Sequence, residues 1–321
     1  MLSAKEITGL WAIIPTPAKP GANRLDAKDT VDLAETERLI NALLRDGVNA
    51  LIVLGTTGEC ATLTQSEFEA FSDCVARTVN RRVPLFIGAT ALGAHQVAER
   101  LAFVQQLGAD GTLLGLPMWQ PCTQPMAVKY YREVAEMFPK LALMVYANAR
   151  AFRFKFPLEF WAEVAKAVPN VVAAKYSRPQ GLPELVAATG KRINFLPNDN
   201  AVSKFFEASP ETTIACWATA ASMGPAPSLA MARAIRDRDG ARVQAVAKDI
   251  GWASEPLKIV TSDPEIFASY NIQIEKLRIE EAGYCKPGPM RPPYDYIPPD
   301  YEKAARECGR RWVEICKRYA N

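Results

Sequence analysis

Eight short apolar runs recur along the chain, and the stretches between them carry the three-to-four-residue rhythm of helices. The runs are "WAIIPT", "ALIVLG", "PLFIGA", "GTLLGLP", "LALMVY", "NVVAAK", "INFLPN" and "TIACWA". They show no polar alternation, which is how strands covered on both faces read. Between them lie "TVDLAETERLINALLRDG", "SEFEAFSDCVARTVN" and "PLEFWAEVAKAVP", each with an apolar stripe. Thr64, with Glu67 three residues on, predicts a capped helix start, and Gly47 and Gly108 predict helix stops. Strand–helix alternation of this kind implies a parallel sheet with crossover connections. Eight such units within residues 1–235 predict an α/β fold, a (β/α)8 TIM barrel, in preference to a doubly wound sheet. The absence of an early GxGxxG or GxxxxGK[ST] motif removes the main support for the latter.

Residues 236–321 predict a C-terminal helical extension. Helical patterns run over roughly 225–260, 264–283 and 300–319, and between the last two lies "YCKPGPMRPPYDYIPPD". A span so rich in proline cannot form a regular helix or a central strand. Residues 284–299 are therefore an arm, either packed on the barrel or lining the mouth of a site or a subunit contact.

The sixth apolar run breaks its own pattern. Val171, Val172, Ala173 and Ala174 lead directly into Lys175 at the strand's carboxyl end. A lysine in that position must snorkel to water, pair with a carboxylate, or lose its proton. Loss of the proton would make it a nucleophile.

Composition narrows the choice. The chain has 321 residues, 49% of them apolar, and a net charge of +3. So small a charge gives no argument for nucleic acid or a membrane surface. No apolar run reaches the roughly 20 residues of a membrane helix, and "MLSAKEITGL" lacks the core of a signal peptide. Seven cysteines without a CxxC suit a reducing cytoplasm rather than a disulfide framework. His95 is the only histidine, so a multi-histidine zinc site is excluded, and a Ser-His-Asp triad would have to use a residue placed like a helix terminus. Chemistry must rest on Lys, Tyr, Ser, Thr or carboxylates.

In a barrel of this kind the carboxyl ends of the strands converge on one face. Strand two ends in "GTTGEC", with Gly55, Thr56 and Thr57, strand four in "LPMWQP" with Trp119, and strand five in "YANARAF" with Tyr146 and Asn148. Strand six ends on Lys175 and strand eight on Cys216 and Trp217. A desolvated lysine amine can attack a ketone, and the protonated imine draws electrons from a neighbouring carbon–carbon bond. Tyr146 is of a type to shuttle the protons this needs. The glycines and hydroxyls of "GTTGE" suit the carboxylate of a 2-oxo acid. Each residue has a structural alternative: a snorkelling lysine, a tyrosine capping the core, a plain strand-to-helix turn, and two packing tryptophans. Glu59 reads as structural. Their joint occurrence at strand ends favours a site.

At these residues the chain resembles the N-acetylneuraminate lyase and dihydrodipicolinate synthase family of Schiff-base aldolases, over the whole barrel and its helical extension. The resemblance implies that Lys175 forms an imine, that Tyr146 relays protons, and that Thr56 and Thr57 hold a pyruvoyl carboxylate. It is strongest to one branch, the hydratase-aldolases of polycyclic aromatic degradation, through "GECATLT", "GTLLGLPMWQP", "MVYANARAF", "FWAEVAK", "SYNIQIEKLR" and "KPGPMRPPY". Such enzymes cleave trans-o-hydroxybenzylidenepyruvate or trans-2'-carboxybenzalpyruvate to an aromatic aldehyde and pyruvate. Trp119 stands where many family members carry a tyrosine, and Asn148 is free to hold the water that hydration needs. Trp119 and Trp217 offer flat surface to an aryl ring. Asn271 joins the site by resemblance, with a helix-surface position as its alternative. Neither metal nor organic cofactor is implied; the partner is a small 2-oxo acid, and the assembly a homotetramer. Arg150, Arg153 and Lys155 either pair an aryl carboxylate or are solvated surface. The remaining readings are a synthase or sugar-acid lyase of the same family, a metal-dependent pyruvate aldolase, and a non-catalytic barrel.

Overall fold

The computed structural model describes residues 1–320. All eight apolar runs are strands: β1 (Gly9–Ile13), β2 (Ala50–Val53), β3 (Leu85–Ile87), β4 (Gly111–Leu114), β5 (Ala142–Tyr146), β6 (Val171–Lys175), β7 (Asn194–Leu196) and β8 (Ala215–Ala218). They form one parallel sheet in which each strand neighbours the next, with β1 beside β8. A single parallel bridge, Asn198 to Trp217, joins the β7 side to β8, and the Trp217 amide donates to the Pro197 carbonyl at 2.9 Å. The ring is thereby nearly closed.

Helices follow the strands around the outside: α1 (Leu33–Arg45), α2 (Gln65–Val79), α3 (Ala94–Gln106), α4 (Gln124–Met137), the single turn α5 (Ala149–Phe152), α6 (Leu158–Ala167), α7 (Leu182–Ala188), α8 (Val202–Ala208) and α9 (Ala226–Arg236). The capping box forms as expected, since the Glu67 amide donates to the Thr64 hydroxyl while the Glu67 carboxylate accepts from the Thr64 amide. His95 lies in the first turn of α3 and is exposed.

Beyond the barrel come α10 (Gly240–Ser254), the short α11 (Lys258–Thr261), α12 (Pro264–Ala282) and α13 (Pro299–Tyr319). The expected single pattern over 225–260 is therefore interrupted. Arg238 is left-handed at φ 57, and Asp239 starts a new helix by accepting from the Arg242 amide. A helix-capping aspartate competes with helix continuation, which the apolar rhythm alone does not register. Trp312 of α13 is fully buried, and its indole donates to the Gly224 carbonyl at 3.0 Å, which ties the extension to the end of the barrel.

One irregularity in the sheet determines the site. β5 and β6 pair Leu143 with Val171, but Met144 pairs with Ala173, so Val172 is an extra residue. Regular pairing would have set Ala174 opposite Tyr146. The bulge instead sets Lys175 there, and paired residues project to the same face of a sheet.

Candidate active site

Lys175 is the last residue of β6 and is half-buried. Its amine lies 3.6 Å from the centroid of the Trp217 ring and 4.6 Å from that of Tyr146. No carboxylate forms an ion pair with it among the described residues. Burial lowers its pKa below the ordinary 10.5, while Tyr146 and the more distant Glu275 act in the opposite direction. Ring faces return about 2 kcal/mol of the several that unpaired burial of an ammonium costs, and burial is the larger influence, so the net direction is downward.

Tyr146, paired with Lys175 across the strands, places its hydroxyl 2.7 Å from that of Thr56, and the two share a hydrogen bond. Its ring packs edge-on against Phe152 at 5.4 Å. Phe152 in turn occupies the space that a side chain at residue 115 would need, so Gly115 is required where β4 ends. The indole of Trp217 donates to the Leu196 carbonyl at 3.1 Å, which fixes the ring that faces the amine.

The loop after β2 is strained. Leu54 and Glu59 are both left-handed, at φ 60 and φ 50, on either side of Thr56 and Thr57. Gly58 approaches the Leu54 backbone so closely that a Cβ would lie 2.9 Å from it. The Thr56 and Thr57 amides donate to no protein group among the described residues. Successive free N–H groups in such a turn form an anion-binding concavity.

Glu59 holds this loop to the extension. Its carboxylate accepts from Lys276 of α12 at 2.8 Å, and from both the Arg291 guanidinium at 2.5 Å and the Arg291 amide at 2.8 Å. All three side chains are almost fully buried. The structural reading of Glu59 fits these contacts, and the partners come from more than two hundred residues away. Glu59→Gln would leave two buried cations without their anion. A loss of about 3–5 kcal/mol of stability is expected, measured by chemical denaturation against the wild-type chain.

Beside the Tyr146–Thr56 pair lies a cavity of about 180 Å3. Met118, Ala151, Phe152 and Ile272 give it apolar walls, and Cys60, Thr90, Gln273 and Tyr294 supply its polar edges. α12 covers it, and Tyr294 brings the proline-rich arm to its mouth. The sequence does not reveal this wall, because its residues are ordinary in their own segments and meet only through tertiary packing. Gly55 lies beneath, with Leu113 and Tyr146 as the nearest neighbours of its open face.

Of the expected residues, Thr56 and Tyr146 line the cavity, whereas Lys175, Gly55, Thr57, Trp217, Trp119, Asn148 and Asn271 stand outside its lining. Trp119 is 78% exposed, and its carbonyl accepts from Arg153. Asn148 caps α5, accepting from the Ala151 amide at 3.2 Å, which leaves its own amide N–H groups available. Asn271 is half-buried, next to the kink that Tyr270 makes in α12 at φ −117 and ψ 15. Arg150 is exposed and lies over the Phe267 ring, Arg153 is engaged by the loop carbonyls, and Lys155 is exposed.

The pKa direction of Lys175 carries a kinetic expectation. Attack requires the free amine, so kcat/KM falls as pH drops through that pKa, and its acid limb reports the group. Glu275→Gln removes a negative charge that raises the lysine pKa and leaves Arg278 unpaired, so the acid limb should move to lower pH. A limb that stays in place or rises would contradict this.

An amine held below its usual pKa, beside a hydrogen-bonded hydroxyl pair and a turn with free N–H groups, has the types of group that cleavage of a carbon–carbon bond next to a ketone requires, which is the work of a class I aldolase-type lyase. Comparison with known proteins agrees. The model of the dihydrodipicolinate synthetase family matches residues 20–204, and the chain belongs to that family. It is similar to a trans-O-hydroxybenzylidenepyruvate hydratase-aldolase of Pseudomonas aeruginosa, 39% identical over 100% of this chain and 96% of that one. Similarity to a trans-2'-carboxybenzalpyruvate hydratase-aldolase of Nocardioides sp. (strain KP7) is also 39%, over 99% of this chain and 96% of the other. A solved structure described as PhdJ bound to substrate intermediate superposes with a TM-score of 0.95 at 36% identity, covering 99% of both chains. The carbon–carbon lyase assignment rests on these full-length likenesses.

Proposed function

We propose that the protein is a Schiff-base hydratase-aldolase that converts a trans-arylidene pyruvate and water into an aromatic aldehyde and pyruvate. The observation that carries this reading is the position of the Lys175 amine, unpaired and facing the Tyr146–Thr56 hydroxyl pair. The neighbouring apolar cavity supports it. At about 180 Å3 it slightly exceeds the roughly 150 Å3 that holds a benzene, so a single aryl ring fits.

Lys175 attacks the 2-oxo carbon, and water leaves to give an iminium, while Thr56, Thr57 and the open approach at Gly55 hold the carboxylate. The iminium withdraws electrons through the alkene, so water adds at the benzylic carbon and a proton is taken up at the carbon between. Asn148 and Tyr146 place that water. Tyr146, left as a phenolate after giving its proton to the water that departs on iminium formation, accepts the proton of the new hydroxyl, the bond to the benzylic carbon breaks toward the iminium, and the aldehyde departs. The remaining enamine is protonated and hydrolysed, which releases pyruvate and restores the amine. No metal or organic cofactor takes part, since the iminium is the electron sink. Trp217 orients the amine; Trp119 and Asn271, on the β4 loop and α12 outside the cavity lining, meet only a substituent that extends beyond the cavity.

The chain is further proposed to be a cytoplasmic homotetramer. Leu92, Trp119 and Met126 are exposed apolar residues on the β3 and β4 loops and the start of α4, which supports a subunit contact on that side. Seven free cysteines suit a reducing compartment.

The test is turnover. The purified chain should release equimolar aldehyde and pyruvate from an ortho-substituted benzylidene pyruvate. Faster reaction of pyruvate with an aliphatic or amino-sugar aldehyde would instead favour a synthase or sugar-acid lyase.

A further inference from the structure

Arg100 of α3 is a buried cation, 4% exposed, that forms no ion pair among the described residues. Its Nε donates to the Gln65 side chain at 3.1 Å and its Nη1 to the Thr90 carbonyl at 2.9 Å, and its guanidinium lies 4.5 Å from the centroid of Phe68. The other N–H groups of the fork find no protein acceptor among the described residues. Guanidinium does not deprotonate in proteins, and an unpaired buried charge costs several kcal/mol, so a position of this kind calls for an anion.

The nearest place for one is the cavity. Thr90 and Cys60 line it, and the Cys60 thiol and Arg100 act on each other electrostatically. The Thr90 hydroxyl accepts from the Gly115 amide at 2.9 Å, so its own proton is uncommitted. Burial raises the Cys60 thiol to about 11, which keeps it a donor. Among the described residues no cation lines the cavity, and the carboxylate that does, Glu59, is already occupied by Lys276 and Arg291. Two residues with uncommitted donors therefore belong to the cavity lining, and Arg100 bonds the backbone of one of them.

We propose that the Thr90–Cys60 wall, backed by Arg100, is a subsite for an anionic substituent on the aryl ring, so that the preferred substrate is a carboxylated arylidene pyruvate. Arg100 acts as a positioning and specificity residue that touches the substrate only through this wall. The inference rests on the arylidene pyruvate reading, and its failure is separable from the failure of that reading.

The experiment compares kcat/KM for 2'-carboxylated, 2'-hydroxylated and unsubstituted benzylidene pyruvates in wild type, Arg100→Met and Arg100→Lys. A unit charge acting through protein rather than water shifts binding of an anion by roughly ten-fold or more. Arg100→Met should lose about that factor on the carboxylated substrate and less than about three-fold on the unsubstituted one, with Arg100→Lys recovering most of the loss. An equal loss on all three, or none, overturns the proposal. Inhibition of the wild-type chain needs no variant. 2-Carboxybenzaldehyde should inhibit at about ten-fold lower concentration than benzaldehyde, and equal potency overturns the proposal too. A wild-type chain that cleaves none of the three substrates sinks the arylidene pyruvate reading instead.

Discussion

Alanine in place of Lys175 should reduce cleavage of an arylidene pyruvate by at least about 10⁴-fold, equivalent to roughly 5.5 kcal/mol of transition-state stabilisation. Without the amine there is no iminium, and neither hydration nor bond cleavage has an electron sink. Arginine at the same position should fail as completely, because its group stays charged and cannot condense. Stability should move the other way. Lys175 ends its strand without a carboxylate partner, so removing it relieves a desolvated charge. Thermal melting of Lys175→Ala should be unchanged or slightly raised while activity disappears. A parallel loss of both would indicate a structural lysine.

Phenylalanine in place of Tyr146 should lower kcat by about 10²–10⁴-fold. Only the hydroxyl is lost, because the ring keeps its edge-on contact with Phe152 and its place opposite Lys175. The Thr56 hydroxyl loses its partner at 2.7 Å, so Thr56→Val should produce a smaller loss of the same kind. Steady-state kinetics separates the roles. A proton relay appears in kcat with KM little changed, whereas a group that only binds the substrate would raise KM. A Tyr146→Phe enzyme within about three-fold of wild type would remove the tyrosine from the mechanism.

Part of the proposed site is legible in the chain, for physical reasons. Strands buried on both faces must be continuously apolar, so a lysine closing one of them stands out, and Lys175 becomes a candidate when that break is read together with the other strand ends. The loop Gly55–Cys60 announced itself through its glycines and hydroxyls. The bulge at Val172, which sets Lys175 opposite Tyr146, leaves no mark in an apolar run, because shifting a register changes no residue type. The cover of the cavity was equally hidden. Ile272, Gln273 and Tyr294 become neighbours of Tyr146 only after the extension folds back, held by Lys276 and Arg291 on Glu59. Trp119 offers a flat ring to an aryl group in the sequence, and in the fold it lies exposed on a loop whose carbonyls accept from Arg153. Arg100 did carry a readable signal. It lies on the stripe of Val97, Leu101 and Val104, where a helix facing the barrel should be apolar.

The most direct measurement is reductive trapping. Incubating the protein with pyruvate and borohydride, then mapping the modified peptide by mass spectrometry, should show one pyruvate-derived group, reduced onto the Lys175 side chain. Full activity combined with an unmodified Lys175, or with the label on another lysine, would contradict the account.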